Sequence, residues 1–367
     1  MTPANWVQVG LIAASGLACA YRLRSLRRNA GDPTARAIFL GLLSLTLVFL
    51  IGLPQFYWPV HRLLGGTPLV PQLLQHCLAM LMAYYAEVFM VRVASARPDR
   101  AVQWRRRLLL VFLLLLGFCY AVGPLRLGLP ILAPEGHADV SITVYVLAWQ
   151  SYLCLVLVDI VQLWWHRPPI TGKHLRVGVA MMAAGAAVAL LQVAHKVVYQ
   201  VTVNAGGRLP WQESGSYGVQ AVLLVPATVL LMVGTTLPSW GPRAARRWVR
   251  LRRYRRMAPL ARAVREACPE LAGDDRPLRF QVRYQQRVIG IRDALIGPLR
   301  PFLREPVPGG DARAEARVIA EAIGLKRGRG LPVGGAVPVL TAGADLDADA
   351  AWLARVSDAY RRLGSTN

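Results

Sequence analysis

The sequence predicts an all-α fold: a seven-helix transmembrane bundle, N-terminus outside and C-terminus inside, followed by a small helical cytosolic domain. Three observations carry this. Apolar residues make up 54% of the 367 and mean hydropathy is +0.37, yet the formal net charge is +23. Those values are compatible only if apolar and charged residues are segregated along the chain. They are: long apolar runs fill 4–236, arginine clusters separate some of the runs and follow the last, and a charge-balanced amphipathic pattern takes over downstream.

A hydrocarbon core of about 30 Å needs roughly 20 mainly apolar helical residues. Seven segments qualify, at about 4–21, 38–60, 69–91, 108–124, 142–164, 177–200 and 218–237. The first resembles a signal peptide only superficially, because Met1–Asn5 carries no basic residue and the positive charges come after the apolar run. It reads as a first span with its N-terminus outside.

Orientation follows from loop charge. Arg22, Arg24, Arg27, Arg28 and Arg36 follow the first span, and Arg92, Arg97, Arg100, Arg105, Arg106 and Arg107 follow the third. Arg167, Lys173 and Arg176 follow the fifth, and a dense run from Arg243 to Arg256 follows the seventh. The alternate loops hold one arginine each, Arg62, Arg126 and Arg208. Positive residues stay on the cytoplasmic side, so the odd-numbered connections and the C-terminus are inside. Trp6, Trp58 and Trp211 near the outer ends and Trp104, Trp164, Trp165 and Trp240 near the inner ones fit aromatic belts. Ala180, Ala183, Ala184 and Ala187 give the sixth span a small-residue face, which predicts a central position in the bundle. Pro226 removes a backbone donor and predicts a bend in the seventh.

Ionisable residues in the hydrocarbon are costly and therefore candidates for function. The third span holds His76 and Glu87, the fifth Asp159, and the sixth His195 and Lys196. Gln192, His195, Lys196 and Tyr199 share one helical stripe at i, i+3, i+4 and i+7. At about 1.5 Å per residue, His76, His195 and Lys196 fall in the outer third and Glu87 and Asp159 in the inner third. Gln75 and Gln150 are candidates to join the outer group. One reading is an outward-facing polar cavity lined by the third, fifth and sixth spans above an acidic pair, binding a small anionic or polar ligand near Lys196 or relaying protons to the carboxylates. The other is structural: carboxylates paired with loop arginines, Lys196 snorkelling to the outer headgroups, and histidines hydrogen-bonded within the packing.

The chain contains no G-x-S-x-G, H-E-x-x-H or phosphate-binding P-loop, and its five cysteines form no C-x-x-C pair. No catalytic residue, metal site or cofactor is predicted.

Residues 241–258 read as a basic juxtamembrane helix on anionic lipid, with Arg250, Arg253 and Arg256 as contact candidates. Nucleic-acid binding is the competing use of such a run. It ranks lower because the run directly follows a span. Residues 259–367 read as a helical cytosolic domain. Tyr284, Val288, Ile291 and Leu295 give a core stripe on a helix of about 278–299, and further helices are expected at about 259–269, 311–325 and 346–363. Turn-rich stretches at 305–310 and 328–338 separate them. Arg283 and Arg287, one turn apart, could hold an anionic ligand or the acidic patch of a cytosolic protein, or form a solvated basic face.

The stretch Arg283-Tyr284-Gln285-Gln286-Arg287-Val288-Ile289-Gly290-Ile291-Arg292-Asp293, followed by Leu299-Arg300-Pro301-Phe302 and preceded by Pro259-Leu260, resembles the hallmark of an actinobacterial family. Its members join a seven-helix membrane region to a C-terminal domain of unknown function and are often labelled transporters or integral membrane proteins. The residue-level likeness spans about 260–302; Ala261 stands where a tryptophan is usual and Gly290 where an acidic residue is usual. The resemblance implies a multi-pass protein of the bacterial plasma membrane and brings no catalytic residues. Two functions are open at this point. One is a sensor or scaffold coupling a ligand or lipid site in the bundle to the cytosolic domain; the other is a small-solute or proton-coupled transporter.

Overall fold

The computed structural model describes residues 3–28, 31–95, 98–128, 139–166, 170–207, 209–211, 218–271, 279–304, 310–328, 330–333 and 345–363. Arg97, Arg167, Arg208, the side chain of Arg28 and most of the turn-rich stretches at 305–310 and 328–338 lie outside them. The fold is all-α, and among the described residues there is no strand. The chain divides into two compact units, Met1–Gly241 and Pro242–Asn367.

The first unit holds α1 (Pro3–Arg28), α2 (Pro33–Ile51), α3 (Pro54–Leu63), α4 (Val70–Ala94), α5 (Pro98–Val122), α6 (Pro124–Leu127), α7 (Val140–Trp165), α8 (Lys173–Asn204) and the larger part of α9 (Val219–Arg256). Seven of these, α1, α2, α4, α5, α7, α8 and α9, are long and apolar enough to cross a membrane. Local chemistry sets their starts. The Asp32 carboxylate accepts from the amides of Thr34 and Ala35, and Asp139 does the same for Ser141 and Ile142, satisfying donors that the first helical turn leaves unpaired.

The apolar run at 38–60 is not one helix. α2 stops at Ile51, and α3 begins at Pro54, whose ring nitrogen has no proton to continue the ladder. The break turns the Leu53 amide onto Leu50, which leaves the Phe49 carbonyl without its helical donor. Gln8 of α1 donates to that carbonyl at 2.7 Å, and Gln75 of α4 donates to the neighbouring Val48 carbonyl at 3.1 Å. Gly52 makes room for both amides, since a Cβ there would meet the Gln75 and Gln8 nitrogens at 2.8 and 2.9 Å. Gln75, a candidate for the outer polar group, is thus engaged by the last turn of α2, where the Val48 carbonyl also accepts from Gly52.

α5 starts at Pro98, so Arg100, Arg105, Arg106 and Arg107 are helical rather than in a loop. α4 packs against α2, α5 and α7, and α8, expected to be central, packs against α7 and α9. The small-residue face of α8 also differs from the alanine pattern: Ala184 and Ala187 are exposed, and the close approach is made by Gly178 and Gly185. A Cβ on Gly178 would meet the Gly234 carbonyl of α9 at 2.6 Å, and one on Gly185 would meet the Ala227 carbonyl at 3.0 Å. α9 runs as one helix through Pro226, Pro238 and Pro242 and takes in most of the basic segment expected at 241–258.

The second unit packs the end of α9 with α10 (Ala258–Ala267), α11 (Phe280–Ile296), α12 (Ala312–Arg327) and α13 (Leu346–Leu363). Its core joins Leu260 and Val264 of α10 to Tyr284, Val288, Ile291 and Leu295 of α11, with Ile319 of α12 and Leu353 and Val356 of α13. The four α11 residues are the expected stripe. Glu315 is fully buried among them and accepts from the Trp352 indole at 2.6 Å. Burial pushes its carboxyl above the usual carboxylate range.

Candidate functional site

Two polar clusters lie among the described residues of the first unit, named outer and inner after the depths expected from helix spacing. In the outer one, His76 of α4 shares a 2.8 Å hydrogen bond between Nδ1 and the Tyr145 hydroxyl of α7. Its ring stacks on Trp149, one turn further along α7, with centroids 4.4 Å apart and planes 11° from parallel. The Nζ of Lys196 on α8 lies 5.6 Å from the centre of the Tyr199 ring. His195 Nε2 accepts from the Trp211 indole at 2.9 Å, which fixes the unprotonated nitrogen of that ring. Gln192 and Tyr199 are buried beside these half-buried neighbours, so the stripe at 192, 195, 196 and 199 turns inward at both ends.

Three further polar groups sit on α7. Gln150 is 1% exposed, and neither its amide nitrogen nor its oxygen has a hydrogen-bond partner among the described residues. The Trp149 indole nitrogen and the Tyr152 hydroxyl are in the same condition. Each such group costs about 1–3 kcal/mol if it stays unpaired. Their concentration on the helix that also carries Tyr145 makes this part of the bundle the strongest candidate for a bound polar molecule. Sequence reasoning named Gln150 but passed over Tyr145 and Trp149. Their i, i+4 spacing opposite a histidine at similar depth was the available signal.

The inner cluster joins three helices. Glu87 of α4 is 3% exposed and accepts from Arg105 Nε of α5 at 2.7 Å. The same nitrogen donates to Asp159 of α7 at 3.0 Å, and Arg105 Nη2 pairs with Asp159 as well. One guanidinium thus answers two carboxylates that fall more than seventy residues apart in the sequence. Arg105 was counted among the orienting loop charges; its place on α5 turns it inward.

In the second unit, the three arginines expected to contact lipid are each engaged by an acidic residue of α13, Arg250 and Arg253 half-buried and Arg256 exposed. Arg250 grips the Asp347 carboxylate with Nε and Nη2, at 3.0 and 2.7 Å, and Arg253 donates to the Asp347 carbonyl at 2.7 Å. Arg256 pairs with Asp358 through Nε and Nη2. The Tyr284 hydroxyl also donates to Asp347 at 3.0 Å. The Arg250 guanidinium holds the Asp347 carboxyl below the usual range. Arg287 lies over the Tyr254 ring at 3.5 Å and donates to the Tyr254 carbonyl at 2.8 Å. Arg283 is exposed. Arg250, Arg253, Arg256 and Arg287 therefore fasten the last turns of α9 to α13 and α11.

Among the described residues, no three His, Cys, Asp or Glu side chains are placed to hold a metal ion, and the five cysteines are free thiols. No curated protein and no solved structure matches the chain. Residues 246–362, which take in the last turns of α9 and the 260–302 stretch, are similar to a family of unknown function (DUF6545).

Proposed function

We propose that this is a multi-pass protein of the bacterial plasma membrane, N-terminus outside and C-terminus inside. It acts as a sensor or scaffold coupling the outer polar cluster to the C-terminal helical unit. The observation that carries the reading is the clamp on α9. Arg250 and Arg253 on Asp347, with Arg256 on Asp358, make the end of the last membrane-type helix part of the C-terminal core. A displacement of that helix must then be felt by α13.

Proton-coupled transport has one observation in its favour: Glu87 and Asp159 share a single arginine, so one carboxylate charge is left over. Against it, both carboxylates are tied to Arg105, and releasing either leaves a buried ion short of its partner. Liposomes loaded with a pH-sensitive dye and carrying the purified chain separate the two. The sensor reading predicts proton entry no faster than in protein-free liposomes under an imposed gradient. Faster entry that Glu87→Gln or Asp159→Asn abolishes would replace it with transport.

A further inference from the structure

The arginines in the last two turns of α9 divide into two sets. Those at 250, 253 and 256 are engaged by Asp347 and Asp358. The opposite set follows a different stripe: Trp248, Leu251, Arg252 and Arg255 stand at i, i+3, i+4 and i+7 and share one helical face. That face forms one wall of a cleft of about 560 Å³, completed by Arg256, Pro259, Asp358 and Arg361. Asp358 is taken by Arg256, and Arg252, Arg255 and Arg361 have no acidic partner among the described residues. Trp248 is 66% exposed.

We propose that this cleft binds the phosphate of an anionic lipid headgroup, held by Arg252, Arg255 and Arg361, with Trp248 and Leu251 against the glycerol and upper acyl chain. Three guanidinium groups around one open space repel each other, and a phosphate relieves that repulsion while accepting their planar, paired donors. The volume is within the range of ordinary ligand sites, about 300–1,000 Å³. The choice of lipid over free phosphate rests on two features. An exposed tryptophan beside a half-buried leucine suits the boundary between headgroup and acyl chain. The wall that carries them also belongs to the helix whose upstream part is apolar enough to cross a membrane. The proposal depends on the chain residing in a membrane but not on the sensor reading, since a static scaffold or a transporter could hold the same lipid.

The test is a calorimetric titration of the full chain in a neutral detergent with short-chain phosphatidylglycerol, short-chain phosphatidylcholine and inorganic phosphate. Phosphatidylglycerol should bind, and the other two should bind at least about tenfold more weakly. With each arginine near a lipid surface worth about 1 kcal/mol, the triple variant R252Q/R255Q/R361Q should lose about a hundredfold in phosphatidylglycerol affinity. The control R246Q/R247Q, on exposed arginines of the same helix outside the cleft, should bind as the parent does, and unchanged thermal unfolding of both variants keeps the comparison valid. If the triple variant unfolds early, R361Q alone serves, with an expected loss of several-fold. Equal binding of phosphatidylglycerol by variant and parent, or equal binding of the two lipids, overturns the proposal. Inorganic phosphate binding as tightly as phosphatidylglycerol overturns the lipid assignment and leaves a site for free phosphate. None of these outcomes bears on the proton-flux measurement, so the two readings fail separately.

Discussion

At the scale of single residues, the inner cluster turns on Arg105. Glu87 and Asp159 both depend on its guanidinium, and removing it leaves two carboxylates without a counter-charge in an apolar bundle. Breaking a buried pair from one side costs about 3–5 kcal/mol. Arg105→Gln should therefore lower thermal stability in detergent by an amount of that order, and adding Glu87→Gln to it should recover part of the loss. In the second unit, Asp347 predicts a pH signature. Its folded-state pKa lies below the unfolded value, chiefly through Arg250, so its contribution is present above about pH 3.9 and is lost as pH falls through the folded value. Asp347→Asn should thus lower the melting temperature at pH 7, and the gap from the parent should close on acidification. Glu315, raised by burial, acts with the opposite sign: its contribution is present below the ordinary glutamate range and fades as pH rises. Both proteins carry Glu315, so it cancels in the comparison. Sequence placed Glu87, Asp159, His76 and Lys196 because a charge in an apolar run stands out. It did not find Arg105, hidden in an arginine cluster, or Asp347 and Asp358, whose partners lie about a hundred residues away.

At the scale of elements, the apolar runs expected from 38 and 108 lie inside helices that begin earlier, at Pro33 and Pro98, because hydropathy does not register the polar first turns. The run at 38–60 is continuous in hydropathy, but Pro54 divides it; Gln8 reaches the freed Phe49 carbonyl from α1, and Gln75 of α4 adds a second donor to the Val48 carbonyl, which keeps its bond from Gly52. That repair is tertiary and leaves no local signal. The α8 face was misread for a similar reason: alanine spacing suggested the contact, whereas the true approach needs hydrogen-only side chains at Gly178, Gly185 and Gly234. α11 gives the clearest element-scale prediction. Gly290 sits in its interior, where glycine costs about 1 kcal/mol relative to alanine, and a Cβ there would meet nothing within 4 Å. Gly290→Ala should raise the unfolding free energy by about 1 kcal/mol, read from chemical denaturation followed by circular dichroism.

At the scale of the whole molecule, the segregation of apolar and basic residues made the all-α class and the seven membrane-type helices readable from sequence alone. The clamp on α9 was not readable, because it rests on which arginines face α13. The central claim is that the outer polar cluster and α13 communicate through α9. Hydrogen exchange of the full chain in nanodiscs, read by mass spectrometry, tests it most directly by comparing His76→Leu with the parent, alone and combined with Asp347→Asn and Asp358→Asn. The account predicts that His76→Leu changes exchange in 346–363 and that the change disappears when both aspartates are replaced. Identical exchange in 346–363 for His76→Leu and the parent would contradict it.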